Sequence, residues 1–167
     1  MSTRWFQPLC IKDTFIKFSS NERCMVSSDT VHREKGFRGF VGAVDGCHIP
    51  IERPRDNEHA YVNRKGFHSI VLMAVFDERL AFTDTCIGWP GSVHDSRIFK
   101  NSPLGRSLAN GERALPHNCF LVGDSAFQLE RWLMTPFRTT QLGDEGPGLL
   151  AAAKRRYNAH SPPAPVW

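Results

Sequence analysis

The sequence lacks the signals of a membrane protein and of a disulfide-linked protein. Its longest unbroken apolar run covers residues 70–76, which is far too short to span a bilayer. Its five cysteines are scattered and include no CxxC pair, so a disulfide framework and a thiolate zinc site are both disfavoured. The N-terminus has no apolar core followed by small residues, and we therefore expect no secretory signal and a reducing compartment.

The sequence also lacks the short motifs of several enzyme classes. It contains no GxxxxGK[ST] phosphate loop, no GxGxxG after a predicted strand, no GxSxG and no HExxH. A net charge of only +4 permits DNA binding without arguing for it. What is present is a chain of 167 residues, 41% of them hydrophobic, which is enough for one domain with a buried core.

Strand-like and helix-like segments alternate in a way that predicts an α/β fold. The predicted strands cover residues 39–44, 66–76, 80–88 and 119–122. The polar stretch 77–79 predicts a hairpin turn between the second and third strands. We therefore expect a mixed sheet with an early antiparallel hairpin, flanked by helices.

The helices are predicted from their start signals. Ser92 opens an S-x-x-D capping box, and Ser102 is followed by Pro103, which suits the first helical position. Two further helical segments are predicted over residues 129–133 and 148–157. Residues 1–37 are polar and predict an irregular lead-in segment.

Two acidic residues are predicted to lie at strand ends. Asp45 follows the first strand, and Asp124 follows the fourth. The carboxyl ends of neighbouring strands form the ligand crevice of open α/β sheets, so the two side chains would share it. Like charges at short range favour a bound cation, and carboxylate oxygens suit Mg²⁺ or Mn²⁺. An Asp after a strand is also a common turn residue, so both interpretations stay open.

Other candidate residues have equally ordinary explanations. Asp95 occupies the fourth position of the capping box, where a carboxylate stabilises a helix start. Arg64 and Lys65 precede a predicted strand, with His68 nearby, and are candidates for contacts to DNA phosphates. A solvated turn would explain the same two cations.

A series of longer strings resembles one family. The strings are VGAVDGCHIPIERP, YVNRKGFHSIVLMAVFD, FTDTCIGWPGSVHDSRIF, LVGDSAF with WLMTPF, and RRYNAHS, in that order. Together they closely resemble the DDE domain of PIF/Harbinger-type transposases and of the harbinger transposase-derived nucleases. The resemblance covers roughly residues 15–161, and it suggests a lead-in segment over 1–37 and a domain over 38–161.

The resemblance implies an RNase H-like fold and a divalent-metal nuclease that cuts DNA. Asp45 matches the first acidic residue of the family, Asp124 matches the second, and Asp95 matches a further acidic position used for metal. The expected cofactor is Mg²⁺ or Mn²⁺, and the expected partners are DNA and a Myb-like DNA-binding protein. The expected location is the nucleus, with the cytoplasm as an alternative.

One family feature is not found. The resemblance implies a final catalytic glutamate in a Val-Glu-x-x-Phe-Gly helix shortly after residues 157–161. Here residues 162–167 read PPAPVW, a Pro-rich tail outside the family pattern. We therefore expect the C-terminal catalytic helix to be missing. The alternative function is a catalytically inactive copy that acts at most as a DNA- or protein-binding module.

Overall fold

The computed structural model describes residues 16–137 and 158–159. The helices are α1 (Asn21–Lys35), α2 (Asp95–Asn101) and α3 (Pro103–Ala109), with a 3-10 turn over Glu58–Tyr61. The strands are β1 (Phe40–Pro50), β2 (Ser69–Phe76), β3 (Phe82–Pro90), β4 (Phe120–Val122) and β5 (Leu133–Met134). None of the helices in these ranges is long and apolar enough to cross a membrane.

The strands form one mixed sheet with the order β3-β2-β1-β4-β5. The first three strands are antiparallel neighbours, and β4 and β5 are added parallel to β1. The predicted mixed sheet with an early antiparallel hairpin is therefore confirmed. Val31 of α1 and Ile98 and Phe99 of α2 pack into buried clusters with residues of the sheet, so the flanking helices are confirmed as well.

The first strand is longer than predicted. It continues to Pro50, because its pairing with β2 runs without a break from Ala43 opposite Phe76 to Pro50 opposite Ser69. The prediction that Asp45 ends a strand is therefore wrong, since Asp45 lies inside β1 opposite Ala74. Gly46 resembled a strand end in the sequence, but the ladder passes through it.

Helix α1 corrects the prediction that residues 1–37 are irregular. Ser20 caps the helix by accepting from the N–H of Arg23, and Gly36 ends it in a left-handed conformation with φ 73°. Its buried face carries small and polar residues, including Ser27 and Ser28, which hid the apolar periodicity. Ser28 Oγ accepts from the N–H of Gly39 at 3.0 Å, so a hydrogen bond satisfies this buried hydroxyl.

One of the two predicted helix caps is confirmed, and the other is wrong. Ser102 caps α3 by accepting from the N–H of Gly105, with Pro103 at the first turn, as predicted. The capping box at Ser92 is wrong, because α2 begins only at Asp95 and the Ser92 N–H donates to the carbonyl of Ala60.

The segments after β4 differ from the prediction or lie outside the described residues. Residues 129–133 do not form a helical turn, because Leu133 pairs with Leu121 and begins the edge strand β5. The predicted helix over 148–157 and the Pro-rich tail 162–167 fall outside the described residues.

Within the described ranges, the core consists of two clusters of buried residues, and the side chains of β1 alternate between them. Val44 belongs to a larger buried cluster that includes Ile98 and Phe99 of α2. Ala43 belongs to a smaller cluster that includes Val31 of α1. Because successive strand residues face opposite sides of a sheet, α1 and α2 cover different faces at this level of β1.

The hairpin between β2 and β3 is fixed by one buried carboxylate. Asp77 Oδ1 accepts from the N–H groups of Arg79 and Ala81, and Oδ2 lies 3.1 Å from the Arg23 guanidinium of α1. Burial by itself would raise the pKa of Asp77. The backbone hydrogen bonds and Arg23 outweigh the effect of burial, so the pKa is lowered. The ionised carboxylate thus ties α1 to the hairpin.

Replacing Asp77 by Asn is expected to lower the free energy of unfolding by about 1–2 kcal/mol near neutral pH. The amide keeps an acceptor for the turn but loses the charge that faces Arg23. Since the folded pKa is depressed, the ionic contribution is complete above the unfolded pKa of about 3.9 and is lost as pH falls through the folded value. Chemical denaturation at several pH values should show the difference shrinking in acid.

The control is Glu22→Gln, which removes an exposed carboxylate from the first turn of α1. Its effect on stability should be small at every pH. An Asp77→Asn difference that stayed constant into acid would show that the ion pair with Arg23 does not contribute.

Candidate functional site

Asp95 lies directly against the backbone of β1. A side-chain carbon built at Gly46 would lie only 2.4 Å from Asp95 Oδ1 and 2.6 Å from its Cγ. No residue larger than glycine fits at this position without displacing the carboxylate. The Asp-Gly pair of the sequence is therefore explained by packing, since Gly46 makes room for the first residue of α2.

Asp45 lies in β1, and Asp124 follows the neighbouring parallel strand β4. Asp45 Oδ1 accepts from the N–H of Gly46 at 2.8 Å. Asp124 follows β4 after Gly123, as predicted, and its Oδ1 accepts from the N–H of Ala126 at 2.9 Å. Both carboxylates therefore form local hydrogen bonds to their own segments.

The electrostatics of Asp95 show which charges surround it. Burial raises the pKa of Asp95, and the charge of Asp124 raises it further. His48, Arg64 and His94 oppose the shift, with His48 the strongest of the three. The half-buried carboxylate therefore lies within electrostatic reach of a second carboxylate, and a bound cation would relieve this arrangement.

The structure does not gather three metal ligands in the part of the chain that it describes. Within residues 16–137 and 158–159, no group of three or more His, Cys, Asp or Glu side chains is placed to hold an ion. Asp45 and Gly46 are successive strand residues and face opposite sides of the sheet. Asp95 lies on the side of Gly46, so Asp45 as a third ligand stays a prediction. The donors themselves, carboxylate oxygens, fit Mg²⁺ or Mn²⁺.

A buried hydrogen-bond network adjoins Asp95, and no sequence motif predicts it. His48 Nδ1 lies 3.0 Å from Ser69 Oγ, and Asn63 Nδ2 donates to the same hydroxyl at 3.0 Å. Asn63 is 5% exposed and Ser69 is fully buried. His48 is two residues after Gly46 on the same face of β1, so the network lies beside Asp95.

Asn63 also shapes the turn that carries the predicted DNA contacts. Its Oδ1 accepts from the N–H groups of Lys65 at 2.9 Å and Phe67 at 3.4 Å. Arg64 and Lys65 are exposed at the tip of this turn, and half-buried His68 forms a β-bridge with Val62. The turn presents two cations to solvent, and their contact with DNA stays a prediction.

Gly91 packs against Ser69, which is a member of this network. Its N–H donates to the carbonyl of Ser69 at 2.9 Å, and a side-chain carbon on it would lie 2.2 Å from Ser69 Oγ. The segments around Asn63 and Gly91 are far apart in sequence, but both contact Ser69 in the fold. The spacing of either string alone could not have predicted this contact.

Comparison with known proteins identifies the family. A family model described as DDE superfamily endonuclease matches residues 44–161. The chain belongs to this family. The resemblance inferred from the motifs is confirmed, and the match includes all three candidate carboxylates. No solved structure matches this DDE-family chain significantly.

The matched relatives are longer than this DDE-family chain. "Putative nuclease HARBI1" of Rattus norvegicus is 36% identical over 149 residues, which are 88% of this chain and 39% of the relative. The protein of the same name from Homo sapiens is 34% identical over the same shares. "Protein ALP1-like" of Arabidopsis thaliana is 32% identical over 115 residues, or 62% of this chain and 28% of the relative. The chain thus spans well under half the length of these relatives.

Gly46→Ala is expected to lower the free energy of unfolding by about 1–3 kcal/mol, because the added methyl group collides with the Asp95 carboxylate. Gly46 does not adopt a positive φ, so backbone strain does not contribute. The double variant Gly46→Ala with Asp95→Ala removes the collision and should recover most of the loss. Denaturant titration of the four proteins in this cycle measures the coupling. Strictly additive effects would show that the collision with Asp95 does not cause the loss of stability in Gly46→Ala.

Proposed function

We propose that this domain is a divalent-metal-dependent DNA endonuclease of the transposase-derived type, which cleaves phosphodiester bonds. The observation that carries the proposal is the half-buried Asp95 carboxylate, which lies against Gly46 and within electrostatic reach of Asp124. A partly desolvated carboxylate beside a second one is costly without a cation. The family match and the similarity to proteins named as nucleases support the same reaction class.

The strand order supports the proposal of an RNase H-like fold. Three antiparallel strands precede two strands that add parallel to β1 on its other side. This arrangement puts the end of β4 next to β1, where Asp124 and the Asp45-Gly46 pair are found. The fold thereby supplies carboxylates from two parallel strands and one helix start.

The proposed metal ligands are Asp45, Asp95 and Asp124. A bound Mg²⁺ or Mn²⁺ would supply an activated water molecule and stabilise charge on the phosphate. The contribution of the protein itself is to hold the carboxylates. Gly46 leaves space for Asp95, and the turn at Ala126 holds Asp124. The local charges of His48, Arg64 and His94 favour the ionised form of Asp95, which is the form that binds a metal.

The proposed DNA contacts are Arg64, Lys65 and His68. The two exposed cations are on a turn that Asn63 fixes, and Arg64 also acts on the charge of Asp95. The turn therefore lies near enough to the carboxylates for one DNA backbone to reach both. We further propose a nuclear location and a Myb-like DNA-binding partner, which would direct this domain to its target.

A second candidate function is a catalytically inactive DNA- or protein-binding module. It is favoured by the lack of a three-ligand metal group among residues 16–137 and 158–159. The turn carrying Arg64 and Lys65 would serve DNA binding equally well without catalysis. The two functions differ in whether DNA is cut, and a single assay separates them.

The nuclease proposal predicts that the chain nicks supercoiled plasmid DNA with Mn²⁺ and that Asp124→Ala lowers the rate at least about 100-fold. Asp29→Ala, at an exposed site on α1, is the control and should keep the wild-type rate. Gel quantification of nicked circles measures the rates. Background nicking by the wild type, together with retained DNA binding, would establish the binding module instead.

Metal binding is tested separately from cleavage. Isothermal titration with Mn²⁺ should give a measurable heat for the wild type and a several-fold weaker affinity for Asp45→Asn, because the amide removes one anionic ligand. Equal binding curves for the two proteins would show that Asp45 is not a ligand. Asp29→Asn provides the matched loss of one negative charge elsewhere.

A further inference from the structure

The donor and acceptor roles in the hydrogen-bond network beside Asp95 can be assigned, starting from Asn63. The Asn63 amide can adopt only one orientation, because its Oδ1 accepts from the backbone N–H groups of Lys65 and Phe67. The amide nitrogen must therefore be the atom that faces Ser69 Oγ, 3.0 Å away. An amide nitrogen only donates, so Ser69 Oγ is the acceptor in this bond.

The Ser69 hydroxyl then has one hydrogen of its own to donate. Its remaining side-chain partner is His48 Nδ1 at 3.0 Å. Donation of this hydrogen to Nδ1 of the neutral ring satisfies the buried hydroxyl and places the ring proton on Nε2. In the cationic ring, both nitrogens carry protons. Nε2 of His48 is therefore an N–H donor in either form.

His48 lies near Asp95, and its Nε2–H donor is not used by the described residues. Among the described residues, none accepts a hydrogen bond from Nε2, although His48 is only half-buried and lies on the same face of β1 as Gly46. The Asp95 carboxylate lies against Gly46, and Arg64 and His94 act on the same carboxylate. An uncommitted N–H donor with cationic neighbours suits an anionic oxygen.

We propose that His48 binds the substrate, donating its Nε2 hydrogen bond to a non-bridging phosphate oxygen beside Asp95, while Asn63 and Ser69 act as positioning residues. This inference rests on the proposed function, because it takes the phosphodiester as the ligand of the Asp95 site. It adds a histidine N–H donor to the carboxylates, so the site would hold carboxylates that bind a cation and a donor that binds a phosphate oxygen. Gly91 keeps Ser69 in place by packing against its hydroxyl.

Two amide variants of His48 separate the two ring nitrogens. His48→Gln places an N–H donor near the position of Nε2, and His48→Asn places its amide near Nδ1, where it keeps only the bond to Ser69. If Nε2 binds the phosphate, His48→Asn should weaken the binding of a short DNA duplex about tenfold. His48→Gln should retain most of the affinity. His117→Asn, at an exposed histidine after α3, is the control.

Affinities for the duplex are measured by fluorescence anisotropy with Mg²⁺ and with EDTA, using the full chain. Tolerance of His48→Asn together with failure of His48→Gln would overturn the proposal, since His48 would then act only through its bond to Ser69. Circular dichroism of each variant shows whether it is folded. Ser69→Ala, a smaller change in the network, should also weaken binding while leaving the fold intact.

Nitrogen NMR of ¹⁵N-histidine-labelled protein gives a readout that needs no cleavage. When the imidazole is neutral, Nδ1 of His48 should resonate as a non-protonated nitrogen and Nε2 as a protonated one. Ser69→Ala should abolish this preference for one tautomer. A proton found on Nδ1 in the wild type would overturn the proposed direction of the network.

Addition of the duplex, and of inorganic phosphate in a separate titration, identifies the source of the anionic oxygen. A shift of the His48 Nε2–H signal with the duplex alone supports a phosphodiester, and a shift with both supports a general phosphate site. No shift with either probe, with and without Mg²⁺, would overturn the proposal. A shift without any nicking would refute the nuclease function while leaving the role of His48 in binding intact.

Discussion

The antiparallel pairing of β1 with β2 is the constraint on which the candidate site depends. It extends β1 past Asp45 as far as Pro50 and fixes which residues face α2. Gly46 and His48 then fall on one face, and Ser69 falls diagonally opposite His48 across the ladder. A slip of one residue would send each of these positions to the other face, so the register and the site are set together.

Close packing around glycine is the second constraint. Gly46 admits the Asp95 carboxylate and Gly91 admits the Ser69 hydroxyl, and in both cases a methyl group would overlap the polar atoms. These contacts bring polar groups from distant segments into a half-buried space, where charges act on each other more strongly than in water. The raised pKa of Asp95 follows from that burial together with the charge of Asp124.

Several features could be predicted from the sequence because they depend on local chemistry. The apolar strand β2, the polar hairpin turn at Asp77 and the Ser102 cap are all set by residues close together in the chain. The position of Asp124 after β4 was predicted for the same reason. Helix α1 was missed because its buried face contains serines, whose hydroxyls are satisfied by hydrogen bonds rather than by apolar packing.

Other features required the fold, because they join distant segments. The continuation of β1 through Gly46 depends on its partner strand, and the edge strand β5 exists only because Leu133 meets Leu121. The capping box at Ser92 failed because the backbone of Ser92 is bound instead to Ala60. In each case a long-range hydrogen bond overrode a short sequence signal.

The family, the mixed sheet and the candidate acidic residues can all be predicted from the sequence, because motifs and apolar periodicity record them. The contact of Asp95 with Gly46 is visible only in the folded chain, and so is the hydrogen-bond network of Asn63, Ser69 and His48. The physical reason is that such contacts depend on strand register and on the space left by glycine. Neither is expressed in the spacing of any single motif.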